Sequence, residues 1–174
     1  MYHVLHILRM KIKLLILLFT FLAVGCSKQS ATTIIQPTTV ADARYNQTLS
    51  IRDKTLHVQI VTTDADMEQG LSGRPNMAND EGMLFNFGAG TNGRPGFWMK
   101  DMNFNLDFIW IKNNSIVGIT PNAPAPVNCK SSIVNCDATL PIYYPPSPVD
   151  MVLEVNAGWA EKNEITVGDT VTLK

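Results

Sequence analysis

Four charged side chains carry the chemistry that this chain offers: Arg74, Lys100, Asp107 and Glu154. Two of them, Lys100 and Asp107, belong to the run Gly96–Ile111 (GFWMKDMNFNLDFIWI), the densest apolar stretch after the N-terminal segment. A buried charge that loses its partner costs about 3–5 kcal/mol. We therefore expect Asp107 to pair with Lys100 or Arg74, either to fix the register of two strands or to bind a ligand.

The same run and one later strand complete a candidate site. Alternate residues of a strand point to opposite faces, so Trp98 and Lys100 share one face of a first predicted strand. Asp107 lies on a second predicted strand that is apolar on both faces, and Glu154 interrupts another apolar strand. The candidate ligand-binding residues are Arg74, Trp98, Lys100, Asp107 and Glu154.

A catalytic set is harder to assemble from these residues. Asp107 and Glu154 form the pair that would serve as acid and base in a hydrolase acting on glycan or peptide. His57 is the only histidine after residue 25, and no strained serine turn is visible, so neither a Ser-His-acid triad nor a His-rich metal site is expected. We predict no catalytic residue, no metal and no cofactor, with the paired-carboxylate hydrolase as the alternative.

One phosphate-binding pattern matches by letter only. Gly88–Gly93 (GAGTNG) fits G-x-G-x-x-G, but Arg94-Pro95-Gly96 and a predicted strand follow it. The motif requires a helix that begins at this point and directs its N–H groups to phosphate. A loop that needs positive φ angles explains these glycines better.

The N-terminal segment is typical of an export signal. Basic residues precede an apolar core at Leu14–Val24, which is too short to span a bilayer, because a spanning helix needs about 20 residues. The core ends in residues 22–26 (LAVGC), which resemble the lipobox of bacterial lipoproteins, although Ala23 stands where Leu is commoner. This resemblance implies cleavage before Cys26 and lipidation of its sulfur.

Lipidation would divide the chain into three parts. Residues 1–25 are the signal peptide, residues 26–43 a flexible tether rich in Ser, Thr, Gln, Ala and Pro, and residues 44–174 one globular domain. Two or three acyl chains give stable anchoring. We expect a membrane-anchored protein of the cell envelope that faces the periplasm or the cell exterior, with the membrane as one partner and a small ligand or an envelope protein as another.

Charge and cysteine content agree with export. Three of the 14 Lys and Arg precede residue 25, so the remaining chain carries eleven against 15 Asp and Glu, a net charge of −4. No basic patch stands out, so nucleic acid is not expected as a partner. Apart from Cys26, the chain has only Cys129 and Cys136, an even pair that predicts a disulfide in an oxidising compartment.

Alternation and turn residues predict a β-rich α+β domain with about eight short strands, forming a strongly curved or barrel-like sheet, and one or two short helices. Asp64 is expected to cap a short helix that continues through Leu71, and a helical turn is expected at Gly158–Asn163. The seven prolines in the segment from Pro121 to Pro148 predict a long loop. Ile165–Val167 and Thr170–Leu173 are predicted to form a closing hairpin.

Several short motifs, taken in order, resemble the family catalogued as domain of unknown function 192, over Thr55–Leu173. The resemblance implies a compact β-rich α+β domain, often exported, and brings no established activity. The family usually has Asn-Thr where this chain has Asp101-Met102, and Pro where it has Asn105, so a shared role is expected of Arg74, Lys100, Asp107 and Glu154 rather than of Asp101. The matching pieces are residues 70–74 (GLSGR), 82–87 (GMLFNF), 97–100 (FWMK), 106–107 (LD), 153–155 (LEV), 158–159 (GW) and 167–169 (VGD).

Three functional hypotheses follow. The favoured one is a non-catalytic, lipid-anchored envelope module that binds a small polar or anionic ligand through Lys100 and Arg74, or uses its charges only to stabilise the fold. The second is the envelope hydrolase with Asp107 and Glu154. The third is a protein-binding module that uses the proline-rich segment Asn122–Pro148.

Overall fold

A computed structural model describes residues 43–127 and 139–174. Seven strands and two short helices occupy these ranges. The strands are β1 (Gln47–Ile51), β2 (Lys54–Val61), β3 (Glu81–Asn86), β4 (Leu106–Lys112), β5 (Ser115–Ala123), β6 (Met151–Asn156) and β7 (Val171–Leu173), and the helices are α1 (Asp64–Gln69) and α2 (Trp159–Lys162).

All seven strands belong to one sheet, in the order β5-β4-β6-β3-β2-β1-β7. Only β2 and β3 are parallel, and α1 lies in the connection between them. The sheet curls so strongly that its two edge strands meet at one end, where Ser115 bridges Thr170 and the Gly168 N–H donates to the Ile116 carbonyl. This confirms the predicted β-rich α+β domain with a strongly curved sheet.

Both faces of the sheet are covered. Successive residues of the central strands point to opposite faces, and on both faces these residues are mostly apolar. One core contains Met83, Phe85, Phe108, Trp110 and Val152, and the opposite one contains Leu84, Ile109 and Leu153 together with Trp159 of α2. The first six residues of β4 are all buried, as the sequence predicted. A charged side chain on β4 or β6 is therefore buried on whichever face it takes.

Two predicted strands do not form. Residues 96–100 make only one isolated bridge, between Phe97 and Tyr143, because Asp101 has a φ of 55° and turns the chain away. Residues 165–167 do not pair with the end of the chain. Glu164 and Gly168 have positive φ angles that turn the segment, and β7 pairs with β1 instead.

The boundaries of two other elements differ from expectation. Helix α1 ends at Gln69 rather than at Leu71, and Thr63, not Asp64, is its N-cap residue and accepts from the Asp66 N–H. Strand β5 continues through Pro121 to Ala123. Proline is tolerated there because β5 is an edge strand, where a missing N–H breaks no ladder.

Several predictions fall on residues outside the described ranges. These are the signal peptide, almost all of the tether, lipidation of Cys26 and the disulfide between Cys129 and Cys136. Within residues 43–127 and 139–174, no helix is both long and apolar enough to cross a bilayer.

Candidate functional site

A pocket of about 320 Å³ opens on the face of the sheet that carries Phe85 and Phe108. Helix α1 and the turn after it form one wall, and residues 95–98 form the opposite wall. Strands β3 and β6 contribute Phe85 and Glu154. The lining residues are Met67, Glu68, Gln69, Gly70, Leu71, Ser72, Phe85, Phe87, Pro95, Gly96, Phe97, Trp98, Met102 and Glu154.

Aromatic rings give this pocket its shape. The Phe97 ring meets Phe85 edge-on, with centroids 4.9 Å apart, and lies 5.5 Å from Phe108 and 5.6 Å from Trp110. Edge-to-face pairs of this kind stabilise by about 0.5–1.5 kcal/mol beyond the area they bury. Phe97 is thus anchored in the core, and its neighbour Trp98 is held at the pocket rim with 42% of its surface exposed.

Glu154 lies in the pocket wall with only 5% of its surface exposed. It pairs with Met83 on one side and Phe108 on the other, so its side chain enters the aromatic core. Its Oε2 atom has no hydrogen-bond partner among the described residues. Burial raises the pKa of Glu154 to about 8, against the opposing influence of Arg74. The carboxyl group is therefore mainly protonated at neutral pH.

Arg74 influences Glu154 through its charge while its donors are directed elsewhere. One guanidinium nitrogen donates to the Tyr45 hydroxyl at 2.8 Å and another to Gln59 Oε1 at 2.6 Å. The guanidinium carbon also lies 5.7 Å from the centre of the Tyr45 ring. Burial raises the pKa of Tyr45, with Arg74 opposing the shift, so the hydroxyl accepts this bond as a neutral group.

Trp98 and Lys100 meet beside the pocket, as their predicted common face implied. The Lys100 Nζ lies 5.3 Å from the centre of the Trp98 ring, a distance at which a cation is attracted to the ring face. Both residues border a shallow polar groove that shares Glu68, Gln69, Ser72 and Trp98 with the pocket rim. Lys100 itself does not line the pocket.

Asp107 lies on the opposite side of the sheet from Glu154. In the β4–β6 ladder Glu154 pairs with Phe108, whereas Asp107 pairs with Val155. Neighbouring positions of a strand face opposite ways, so the sheet itself separates the two carboxyl groups. The acid and base of the hydrolase hypothesis are not brought together.

Backbone N–H groups, rather than the expected Lys100 or Arg74, supply hydrogen bonds to Asp107. Its Oδ1 accepts from Asn122 at 2.9 Å and Gly158 at 3.0 Å, and its Oδ2 accepts from Ala160 at 3.0 Å. Gly158 is the N-cap of α2 and has no side chain to cap it. The carboxylate of Asp107 therefore caps the helix from a neighbouring strand.

Comparison with known proteins identifies the family of this chain. Residues 47–173 match the family model DUF192, described as an uncharacterized ACR. The chain belongs to the DUF192 family. The match begins slightly before the stretch predicted from sequence motifs and takes in β1. No curated protein matches the chain.

Two solved structures resemble this DUF192 chain. One is a candidate transcription regulator from Sinorhizobium meliloti 1021, with 30% identity and a TM-score of 0.61, covering 73% of this chain and 92% of the other. The second is a protein of unknown function from Novosphingobium aromaticivorans DSM 12444, with 23% identity and a TM-score of 0.59, covering 72% and 83%. The second likeness concerns the fold alone.

Of the candidate residues, the DUF192 domain brings Trp98 and Glu154 into one pocket, sets Arg74 behind Glu154 and Lys100 beside the rim, and places Asp107 on the other face. Sequence reasoning missed Phe85, Phe97, Met67 and Met102 as pocket residues. Phe85 and Phe97 do lie in motifs on which the family resemblance rests, so those motifs could have indicated these two residues as site candidates.

The described residues contain no group of three His, Cys, Asp or Glu side chains close enough to hold a metal ion. The only ionisable side chains that line the described pocket are Glu68, at its exposed rim, and Glu154, in its buried wall. The Ser72 hydroxyl, also in the lining, donates to the Lys100 carbonyl at 2.8 Å. The pocket thus combines an aromatic and apolar surface with polar groups at its rim and one buried carboxyl group in its wall.

Proposed function

We propose that this protein is an exported, lipid-anchored envelope protein whose DUF192 domain binds a small ligand without transforming it. The observation that carries the proposal concerns Glu154, which lies in the wall of an aromatic pocket. Its buried Oε2 atom has no hydrogen-bond partner in the part of the chain that the structure describes. An unpaired buried polar atom costs about 1–3 kcal/mol. A ligand that supplies the missing partner recovers that free energy on binding.

The pocket chemistry favours binding over catalysis. A hydrolase of the predicted kind needs two carboxyl groups that flank the scissile bond within one cleft, and Asp107 lies across the sheet from Glu154. A nucleophile needs a base within hydrogen-bond reach, and the Ser72 hydroxyl donates to a backbone carbonyl instead. An apolar cavity with a few placed polar groups is the usual form of a small-molecule site.

Export and anchoring are supported by the sequence of the first 26 residues, in which a basic and then apolar segment ends at Cys26. Mass spectrometry of the mature N-terminus tests this part, because a lipoprotein begins at an acylated Cys26. Cleavage elsewhere or an unmodified cysteine would contradict it.

Nucleic-acid binding is not proposed, although one structural neighbour is described as a candidate transcription regulator. The chain after residue 25 carries a net charge of −4, and the described residues that line the pocket include acids but no bases. A protein that binds the phosphate backbone needs a concentration of Lys and Arg.

Methyl NMR of methionine tests ligand binding directly. Met67 and Met102 line the pocket, whereas Met151 packs against the core of the other face. The full chain, labelled at the methionine methyl groups, would be titrated with three probes of similar size: benzyltrimethylammonium, its neutral isostere neopentylbenzene and phenylacetate. We expect at least one probe to shift the Met67 and Met102 signals saturably.

Met151 is the internal control, and Met67→Leu and Met102→Leu variants assign the signals. A pocket ligand leaves Met151 unmoved. If no probe shifts Met67 or Met102 at millimolar concentration, or if Met151 moves equally, the pocket is not a binding site.

A further inference from the structure

We propose that the ligand of this pocket is an organic ammonium ion with an apolar body, an inference that rests on the binding function proposed above. This differs from the polar or anionic ligand, held by Lys100 and Arg74, that the sequence suggested. The cation would contact the aromatic rings and form an ion pair with Glu154. Three features of the described pocket lead to this class of ligand.

The charge of the lining is the first feature. Glu68 and Glu154 line the pocket, and no Lys, Arg or His is among the described residues that do so. Lys100 borders the neighbouring groove, and Arg74 does not line the pocket. Among the described lining residues, an anionic ligand would therefore meet two acids and no base. A cation would meet the charge of Glu68 at the rim and, in the wall, a carboxyl group that can ionise to pair with it.

The aromatic content is the second feature. Phe85, Phe87, Phe97 and Trp98 all contribute to the lining. Aromatic ring faces attract cations, most strongly where water is excluded, and aromatic cages are used to bind quaternary ammonium groups. Met67 and Met102 add polarisable apolar surface that suits an irregular ligand body.

The third feature is the unpartnered Oε2 atom of Glu154. Burying a carboxylate without a counter-ion is costly, which is why such a group stays protonated until a cation pairs with it. Arg74 does not take this role, because its hydrogen bonds go to Tyr45 and Gln59. Arg74 acts on Glu154 only through its charge, whereas a ligand cation would provide the direct partner that Oε2 lacks among the described residues.

Binding should consequently release a proton. The charged or titratable groups around Glu154 are Arg74 and Glu68, with Tyr45 behind Arg74, while β3 and β4 present only Met83, Phe85 and Phe108. Burial raises the pKa of Glu154 to about 8, so the ionised form is the minor species below that pH. Affinity for a cation should rise about tenfold per pH unit below pH 8, about fiftyfold from pH 6 to pH 8, and level off above.

Calorimetric titration of the full chain with benzyltrimethylammonium tests this, because the charge of that probe does not change with pH. We expect it to bind more tightly at pH 8 than neopentylbenzene or phenylacetate, and to show the pH dependence above. Titrations at pH 7 in two buffers of different ionisation enthalpy should reveal the release of about one proton. This measurement needs no variant and therefore does not depend on whether a variant folds.

Glu154→Gln should bind the ammonium probe more weakly at pH 8 and lose the pH dependence. Glu68→Gln is the matched control, because it removes a rim acid and should keep the pH dependence.

Equal or tighter binding of either other probe would overturn the cation assignment while leaving the binding function intact. No pH dependence in the natural chain, or no proton release, would also overturn it. Failure of all three probes would overturn the binding function as well.

Discussion

Asp107 and Glu154 are both buried carboxyl groups on neighbouring strands, but their surroundings differ. Asp107 accepts three backbone N–H bonds, whereas one oxygen of Glu154 has no hydrogen-bond partner within residues 43–127 and 139–174. Those bonds tie Asp107 to Asn122, which has a φ of 50° at an irregularity in the β4–β5 pairing, and to the start of α2. Asp107 is therefore bound into the fold by its hydrogen bonds, whereas Glu154 is the residue to which we assign the proposed ligand contact.

Asp107→Asn tests that structural role at the scale of one residue. The asparagine amide would direct its own N–H toward a backbone N–H, so at least one buried donor would lose its acceptor. We expect a loss of about 2–3 kcal/mol in the free energy of unfolding, measured with urea. Asp101→Asn is the control, because Asp101 is exposed and asparagine tolerates its φ of 55°. Equal stability of the two variants would argue against the role.

Sequence alone indicates that a buried Asp107 needs partners, but not which ones. Its three donors lie 15, 51 and 53 residues away in the chain. They are backbone groups, which every residue except proline carries, so side-chain types give no signal for them. Trp98 and Glu154 could be selected because a large aromatic and an acid in apolar strands are conspicuous. That they share a pocket depends on how the sheet curls.

At the scale of elements, the proline-rich segment before β6 packs directly on β5 at a glycine. A Cβ atom on Gly118 would lie 2.6 Å from Cγ and 2.8 Å from Cδ of Pro146. Tyr143 of the same segment bridges Phe97 with two backbone hydrogen bonds, and Arg94 donates to the Pro145 carbonyl. This segment thus supports the pocket wall that carries Phe97 and Trp98.

Gly118→Ala should therefore cost about 1–3 kcal/mol in urea unfolding, because the overpacked segment must move. Pro146→Ala removes the two clashing atoms and should restore much of the loss in the double variant, giving a coupling free energy between the sites. Gly93→Ala is the matched control, since its Cβ would meet nothing closer than 3.6 Å. Simple additivity of Gly118→Ala and Pro146→Ala would contradict this packing.

Strand alternation predicted about eight short strands, and seven are present in the described residues. The same alternation gave a false strand at residues 96–100, since an apolar run next to Asp101 packs as a loop that is anchored by its rings. Which strands pair with each other was harder to predict than where the strands lie in the sequence. Strand β7 was expected to pair with residues just before it and pairs instead with β1, which lies more than 100 residues earlier.

At the scale of the whole molecule, Glu154 links proton binding to folding. Its pKa is about 8 in the fold against an ordinary value of 4.5. Between these values the folded chain holds a proton that the unfolded chain has released, so this group's contribution to stability falls as pH rises. It is fully present below about pH 4.5, declines up to about pH 8 and is constant above that.

Glu154→Gln should remove this decline, because glutamine keeps the shape of the neutral acid and does not ionise. Relative to the natural chain, the variant should gain about 3–4 kcal/mol in the free energy of unfolding between pH 5 and pH 9. Urea unfolding of both proteins at the two pH values measures this difference, and the other titrating groups cancel in it. If the stability difference between the two proteins is the same at both pH values, Glu154 ionises normally in the fold. The cation-coupled binding proposed for the pocket would then lose its physical basis.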